Sequence, residues 1–141
     1  MVKKIKLDYS PEYDFIVIAI VSFEKDYKIV WDINNSLGYD FARSDDYLAY
    51  HKKRKMDQEF STFIFHDEKD YIDFRIITNK SDQGYLLEEI KNIDYIILIK
   101  GDFEESYDKK VLAQLQNLKS VQSAFLLDLS KLKGKERLIE G

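Results

Sequence analysis

The chain reads as one α+β domain: a mostly antiparallel or mixed sheet of five to six strands with two main helices packed on it, including a C-terminal β-α-β unit. Three observations predict this. Tyr95-Ile96-Ile97-Leu98-Ile99 is a continuous apolar run between Asp94 and Lys100-Gly101. It is too short for a helix core and rich in β-branched residues, the pattern of a strand buried on both faces. Tyr71–Thr78 alternates, with Ile72, Phe74 and Ile76 inward and Asp73 and Arg75 outward. Residues 25–37 and 107–118 instead space their apolar residues at the helical period.

Taken in order, residues 3–8 suggest a short edge strand ended by Ser10-Pro11. Asp14 to Ser22 has the β-branched run of an inner strand; a helix using the same apolar residues competes, because periodicity does not separate them. After Glu24 the period becomes 3.6. Tyr27, Val30, Trp31 and Leu37 share a face widened by Ile29 and Ile33, and Gly38 sits where a left-handed cap belongs. Residues 39–58 carry little pattern: Tyr47-Leu48-Ala49-Tyr50 is a candidate short strand, while Arg43 to Asp46 and His51 to Asp57 read as solvated.

Phe60 to His66 is rich in β formers on both faces, and His66 to Asp70 is a hairpin loop into Tyr71–Thr78. Asn79 to Gly84 is a polar turn cluster, and a short helical turn covers Leu86 to Lys91. Beyond Gly101, Asp102, Glu104 and Glu105 place negative charge ahead of a helix start, with Ser106 the candidate N-cap. Val111, Leu112, Leu115 and Leu118 form one stripe, and Lys119 closes the helix. Val121 to Leu129 alternates, with Val121, Phe125, Leu127 and Leu129 on one face and Gln122, Ala124 and Asp128 on the other. If strands 95–100 and 121–128 are parallel neighbours, the crossover between them is right-handed. In the tail, Leu132, Leu138 and Ile139 suit one short turn docked on the body.

With 141 residues, 45% of them apolar and 14% aromatic, the chain supports a single core over residues 1–141. A domain of this size buries roughly two-thirds of its unfolded surface. The balance of 22 basic against 26 acidic residues, net −4, creates no global field for nucleic acid or anionic lipid. The absence of cysteine excludes disulfides, thiolate metal sites and cysteine nucleophiles. The apolar run Phe15–Val21 is too short to span a bilayer and lacks a signal-peptide context, so the expected compartment is the cytoplasm.

Catalytic signatures are weak. His51 and His66 lack metal-ligand spacing, although a hairpin joining their ends could add Asp67 or Glu68; two loop-end histidines are the simpler reading. No serine sits in an elbow-like context, and the five glycines are isolated, so no phosphate-binding loop forms. The paired acids Asp45-Asp46, Glu88-Glu89 and Glu104-Glu105 read as surface charge unless one member is desolvated. No catalytic residue, cofactor or metal is implied, and the sequence points away from an enzyme. The one partner-flavoured feature is the basic run Lys52-Lys53-Arg54-Lys55 behind Tyr47, Tyr50 and His51. Its cations and rings suit phosphates and bases, but a solvated loop is the simpler account.

The stretch Leu87-Glu88-Glu89, Ile90-Lys91-Asn92, Ile93-Asp94-Tyr95 resembles the bacterial family called after its IPExxxVDY signature. The helix at Lys25 to Trp31, the Asn79-Lys80-Ser81 turn and the Ala124-Phe125 strand fit the same family in the same order. Glu88 stands where the signature has proline, with conservative exchanges at Leu87 and Ile93. The resemblance implies no assigned activity and carries over no catalytic residue. The ending is also similar in pattern to the second half of ferredoxin-like regulatory modules, which pair edge to edge and hold small ligands at the seam.

The expected function is therefore a cytoplasmic, non-enzymatic interaction or adaptor module for a protein partner, with self-association as a homodimer. The alternatives are a small-ligand-sensing regulatory module and an RNA-associated accessory protein using loop 51–55.

Overall fold

The computed structural model describes residues 15–139, so the candidate strand at residues 3–8 lies outside it. In order, the elements are β1 (Phe15–Val21), α1 (Asp26–Leu37), β2 (Ala42–His51), β3 (Met56–Asp67), β4 (Ile72–Thr78), β5 (Lys80–Ser81), β6 (Gly84–Tyr85), β7 (Tyr95–Lys100), α2 (Tyr107–Gln116), β8 (Ser123–Leu126) and α3 (Lys135–Ile139). Six strands form one sheet in the order β2-β3-β4-β7-β1-β8, and β5-β6 is a separate two-stranded ribbon. Every pairing is antiparallel.

β7 is an inner strand, as its apolar run requires. Ile97 stands opposite Ile76 of β4 on one side and Ile18 of β1 on the other. Ile96 is flanked by Ile77 and Ala19 in the same way. The odd and even residues of β7 enter two different cores. Tyr95, Ile97 and Ile99 pack with Ile29, Val30 and Ile33 of α1 and with Val111 and Leu115 of α2. Ile96 and Leu98 pack with Leu86, Leu87 and Ile93 of the β6–β7 connection and with Leu129, Leu132 and Leu138 of the C-terminal segment. Helices cover one face, and mostly irregular chain covers the other.

Strands β7 and β8 are parallel, but β1 lies between them, so the expected β-α-β unit is split rather than built from neighbours. β1 and β4 likewise flank β7. The order β8-β1-β7-β4 with α1 and α2 on one face is the β-α-β-β-α-β pattern of two interleaved split units. The β2–β3 hairpin is inserted before β4 and widens the sheet.

Several expectations need correcting. In α1 the buried stripe is Ile29, Val30 and Ile33, whereas Tyr27 and Trp31 face solvent. The apolar surface of this helix is wider than the core it meets. Residues 42–51, which looked largely solvated, form the ten-residue strand β2. Its register with β3 shifts between Ser44 and Tyr47, a bulge that breaks the alternation by which a strand is recognised. Ser106 has φ 72 and makes no side-chain cap bond, because the left-handed region does not aim its hydroxyl at the helix amides. In β8 the phase is reversed: Ala124 is buried and Phe125 is half in solvent, and the strand is only Ser123–Leu126. Gly38 does close α1 in the left-handed region, at φ 71, donating to Asn34 O at 3.0 Å.

Candidate functional site

The residues of the signature-like stretch lie at one end of the sheet, with Leu87, Ile90 and Ile93 on the face that α1 and α2 leave bare and Tyr95 turned to the helix side. Asn79, at the end of β4, is fully buried and holds them in place. Its N–H donates to Asp94 O at 2.9 Å, and its carbonyl accepts from Leu86 N–H at 2.8 Å. Its side-chain Oδ1 accepts from Leu87 N–H at 2.8 Å, while Nδ2 donates to Ile90 O at 3.1 Å and Ile93 O at 3.0 Å. One side chain therefore satisfies backbone groups along the whole connection, which leaves Leu87 and Ile93 free to fill the core. The sequence placed Asn79 in a polar turn; its burial has no signal in composition or period.

Each remaining signature position has a structural partner. Asp94 Oδ2 accepts from Ser22 N–H at 2.9 Å, and Oδ1 pairs with Lys80 Nζ at 3.0 Å. Tyr95 donates its hydroxyl to Glu24 O, and burial pushes that phenol well above its ordinary pKa, with Asp26 and Asp94 adding to the effect. Glu89 accepts from Lys133 N–H at 3.0 Å and Gly134 N–H at 2.8 Å, tying the C-terminal segment down. Glu88 Oε2 lies 3.2 Å from His51 Nε2.

Arg137 of α3 is the second organising side chain. Nη1 donates to Tyr85 O at 2.9 Å and Leu86 O at 2.8 Å, Nη2 donates to the Gln58 side-chain oxygen, and the guanidinium lies over the Phe60 ring. Burial lowers its pKa and nearby Glu88 opposes that shift. A guanidinium stays charged under such a shift, so Arg137 acts as a fixed, forked donor.

Between these parts lies a groove of about 430 Å³ whose lining includes His51, Lys52, Lys53, Glu88, Lys133 and Arg137. It unites two features far apart in the sequence, the signature-like turn and the basic run. Part of its chemistry is engaged internally. The His51 Nδ1 accepts from Arg54 N–H at 3.1 Å, which assigns the Nε2 proton to Glu88. Both ring nitrogens are thus engaged within the protein, and the pair ties the end of β2 to the signature-like turn. Lys52 stands 3.8 Å from Glu136, and Arg54 donates to Gln83 O at 2.8 Å. Lys55 has φ 54 and closes the β2–β3 turn through its N–H to His51 O at 2.7 Å. Lys53 enters no ion pair among the described residues.

His51 and His66 do not meet. His51 is opposite Met56 at one end of β3, and His66 is near the other end, paired with Asp73. At about 3.3 Å per residue they stand roughly 30 Å apart. Among the described residues no group of three or more His, Asp or Glu could hold a metal ion. Asp46 pairs with Arg43, so the Asp45-Asp46 couple is also surface charge. No helix among the described residues is long and apolar enough to cross a membrane. No protein-family model, curated protein or solved structure matches the chain.

Proposed function

We propose that this protein is a cytoplasmic, non-enzymatic interaction module of the IPExxxVDY type, and that the outward face of α1 receives a protein partner. The observation that carries the reading is a run of aromatic residues left in solvent. Phe23 is 88% exposed, Tyr27 65% and Trp31 59%, spaced four residues apart. Tyr27 and Trp31 are one turn apart on the side of α1 opposite Ile29, Val30 and Ile33. Lys28 Nζ lies 4.8 Å from the centre of the Trp31 ring and leaves most of it open.

Two large exposed rings on one helix face, with a third exposed just before the helix begins, are unusual for a monomer, and rings of this type dominate binding energy at interfaces. An amphipathic helix with such a second apolar stripe suits an apolar groove on another protein. The groove at Glu88 supports the non-enzymatic reading, because its one histidine is engaged through both ring nitrogens within the protein. The basic turn lends less support to an RNA reading than its sequence did, since Arg54 is tied to Gln83 O.

The test is capture from native lysate with the full chain as bait. A partner retained by the wild type and lost by Tyr27→Ser/Trp31→Ser supports the reading. A wild-type bait that retains nothing specific, or a double variant that retains the same partner equally well, removes it.

A further inference from the structure

We infer that β2 is a self-association edge, on which a second copy of this chain adds its own β2 antiparallel across a two-fold axis and continues the sheet. This rests on the interaction reading and names one partner, at a surface separate from α1.

β2 is the outermost strand of the sheet, paired with β3 on one side only. Edge strands are usually protected by charge and bulges. Here the protection covers only the first half: Arg43, Asp45, Asp46 and the register shift all precede Tyr47. The second half, Tyr47-Leu48-Ala49-Tyr50-His51, has no carboxylate or amine, and Leu48 and Tyr50 are 50% and 55% exposed.

The sequence of this edge is complementary to itself when read backwards. A two-fold centred on Ala49 sets Leu48 opposite Tyr50 of the second copy, and Tyr50 opposite its Leu48. These are aliphatic–aromatic pairs of the kind that stabilise antiparallel strands. The same operation brings Asp45 and Asp46 of one copy toward Lys52 and Lys53 of the other, twice over. A parallel arrangement would instead align acid with acid and base with base. The charge pattern thus selects an isologous, antiparallel pair, and gives the basic turn a purpose that its mixed surroundings did not.

Sedimentation equilibrium on the full chain tests this. The wild type should form a dimer in the micromolar range. Asp45→Lys/Asp46→Lys and Lys52→Glu/Lys53→Glu, each folded by circular dichroism, should each weaken it about tenfold or more, because every cross-axis ion pair becomes a repulsion. An equimolar mixture of the two variants should form a one-to-one heterodimer, since one protein is basic at both ends of the edge and the other acidic. Leu48→Arg/Tyr50→Arg should be monomeric. A monomeric wild type, single-sign variants that dimerise like the wild type, or a mixture that stays monomeric would each overturn the proposal. A monomer that still captures its partner through Trp31 would remove this inference and leave the α1 reading intact. A dimer that captures nothing would do the reverse.

Discussion

The side-chain oxygen of Asn79 accepts the backbone N–H of Leu87 at 2.8 Å, eight residues along the chain and inside the core. This bond, with the two that Asn79 Nδ2 donates to Ile90 and Ile93, converts an irregular connection into a covering layer for β7. Asn79→Ala takes the side-chain partner from Leu87 N–H and Ile93 O, and leaves Ile90 O with only its bond from Ile93 N–H. The expected loss is about 3 kcal/mol of unfolding free energy, read from the urea midpoint at unchanged m. Lys80→Ala, next door and half in solvent, should cost less than about 1 kcal/mol.

The two-core arrangement makes β8 a sensitive reporter of phase. Ala124→Asp puts a charge into the core beneath α2 and should leave no cooperative thermal transition. Phe125→Ser, on the neighbouring and half-exposed position, should lower stability by about 1 kcal/mol or less. The opposite ranking would restore the phase that the sequence alternation suggested.

Ile97→Ala should cost about 2–5 kcal/mol, because the cavity it leaves is flanked by Ile76 and Ile18 on the same face and cannot collapse from either side. Denaturant unfolding checks this. A loss below about 1 kcal/mol would mean that β7 is not the centre of the fold.

The hydrogen bond from His51 holds the Glu88 carboxyl below its ordinary value of 4.5, and the charges of His51, Arg137 and Arg54 lower it further. A lowered folded-state value stabilises the protein above the unfolded value, and the contribution disappears as pH falls through the folded one. Glu88→Gln should therefore be less stable than wild type above pH 4.5 and converge with it in more acidic solution. Since Glu88 is exposed, the gap should stay under about 1 kcal/mol. Paired melts at several pH values measure it.

Much of the scaffold was legible because it follows from local pattern. The β-branched run of β7, the alternation of β4 and the period of α1 with Gly38 behind it are written in consecutive residues. What was hidden depends on distant ones. The bulge in β2 scrambles its alternation, and the ribbon and the C-terminal segment are held by Arg137 and Glu89 through contacts that no spacing encodes. The same holds for Asn79 and Gln58, polar residues whose burial only the assembled sheet can show. The outward rings of α1 were read as core because a helix with two apolar stripes presents no local sign of which one the sheet receives.

The most direct test of the account is the amount of specific partner captured from native lysate by the full chain and by its folded Tyr27→Ser/Trp31→Ser variant. The account predicts a partner at stoichiometric level on the wild type and near background on the variant, with the two melting temperatures unchanged. Equal capture by both proteins, or none by the wild type, would contradict it.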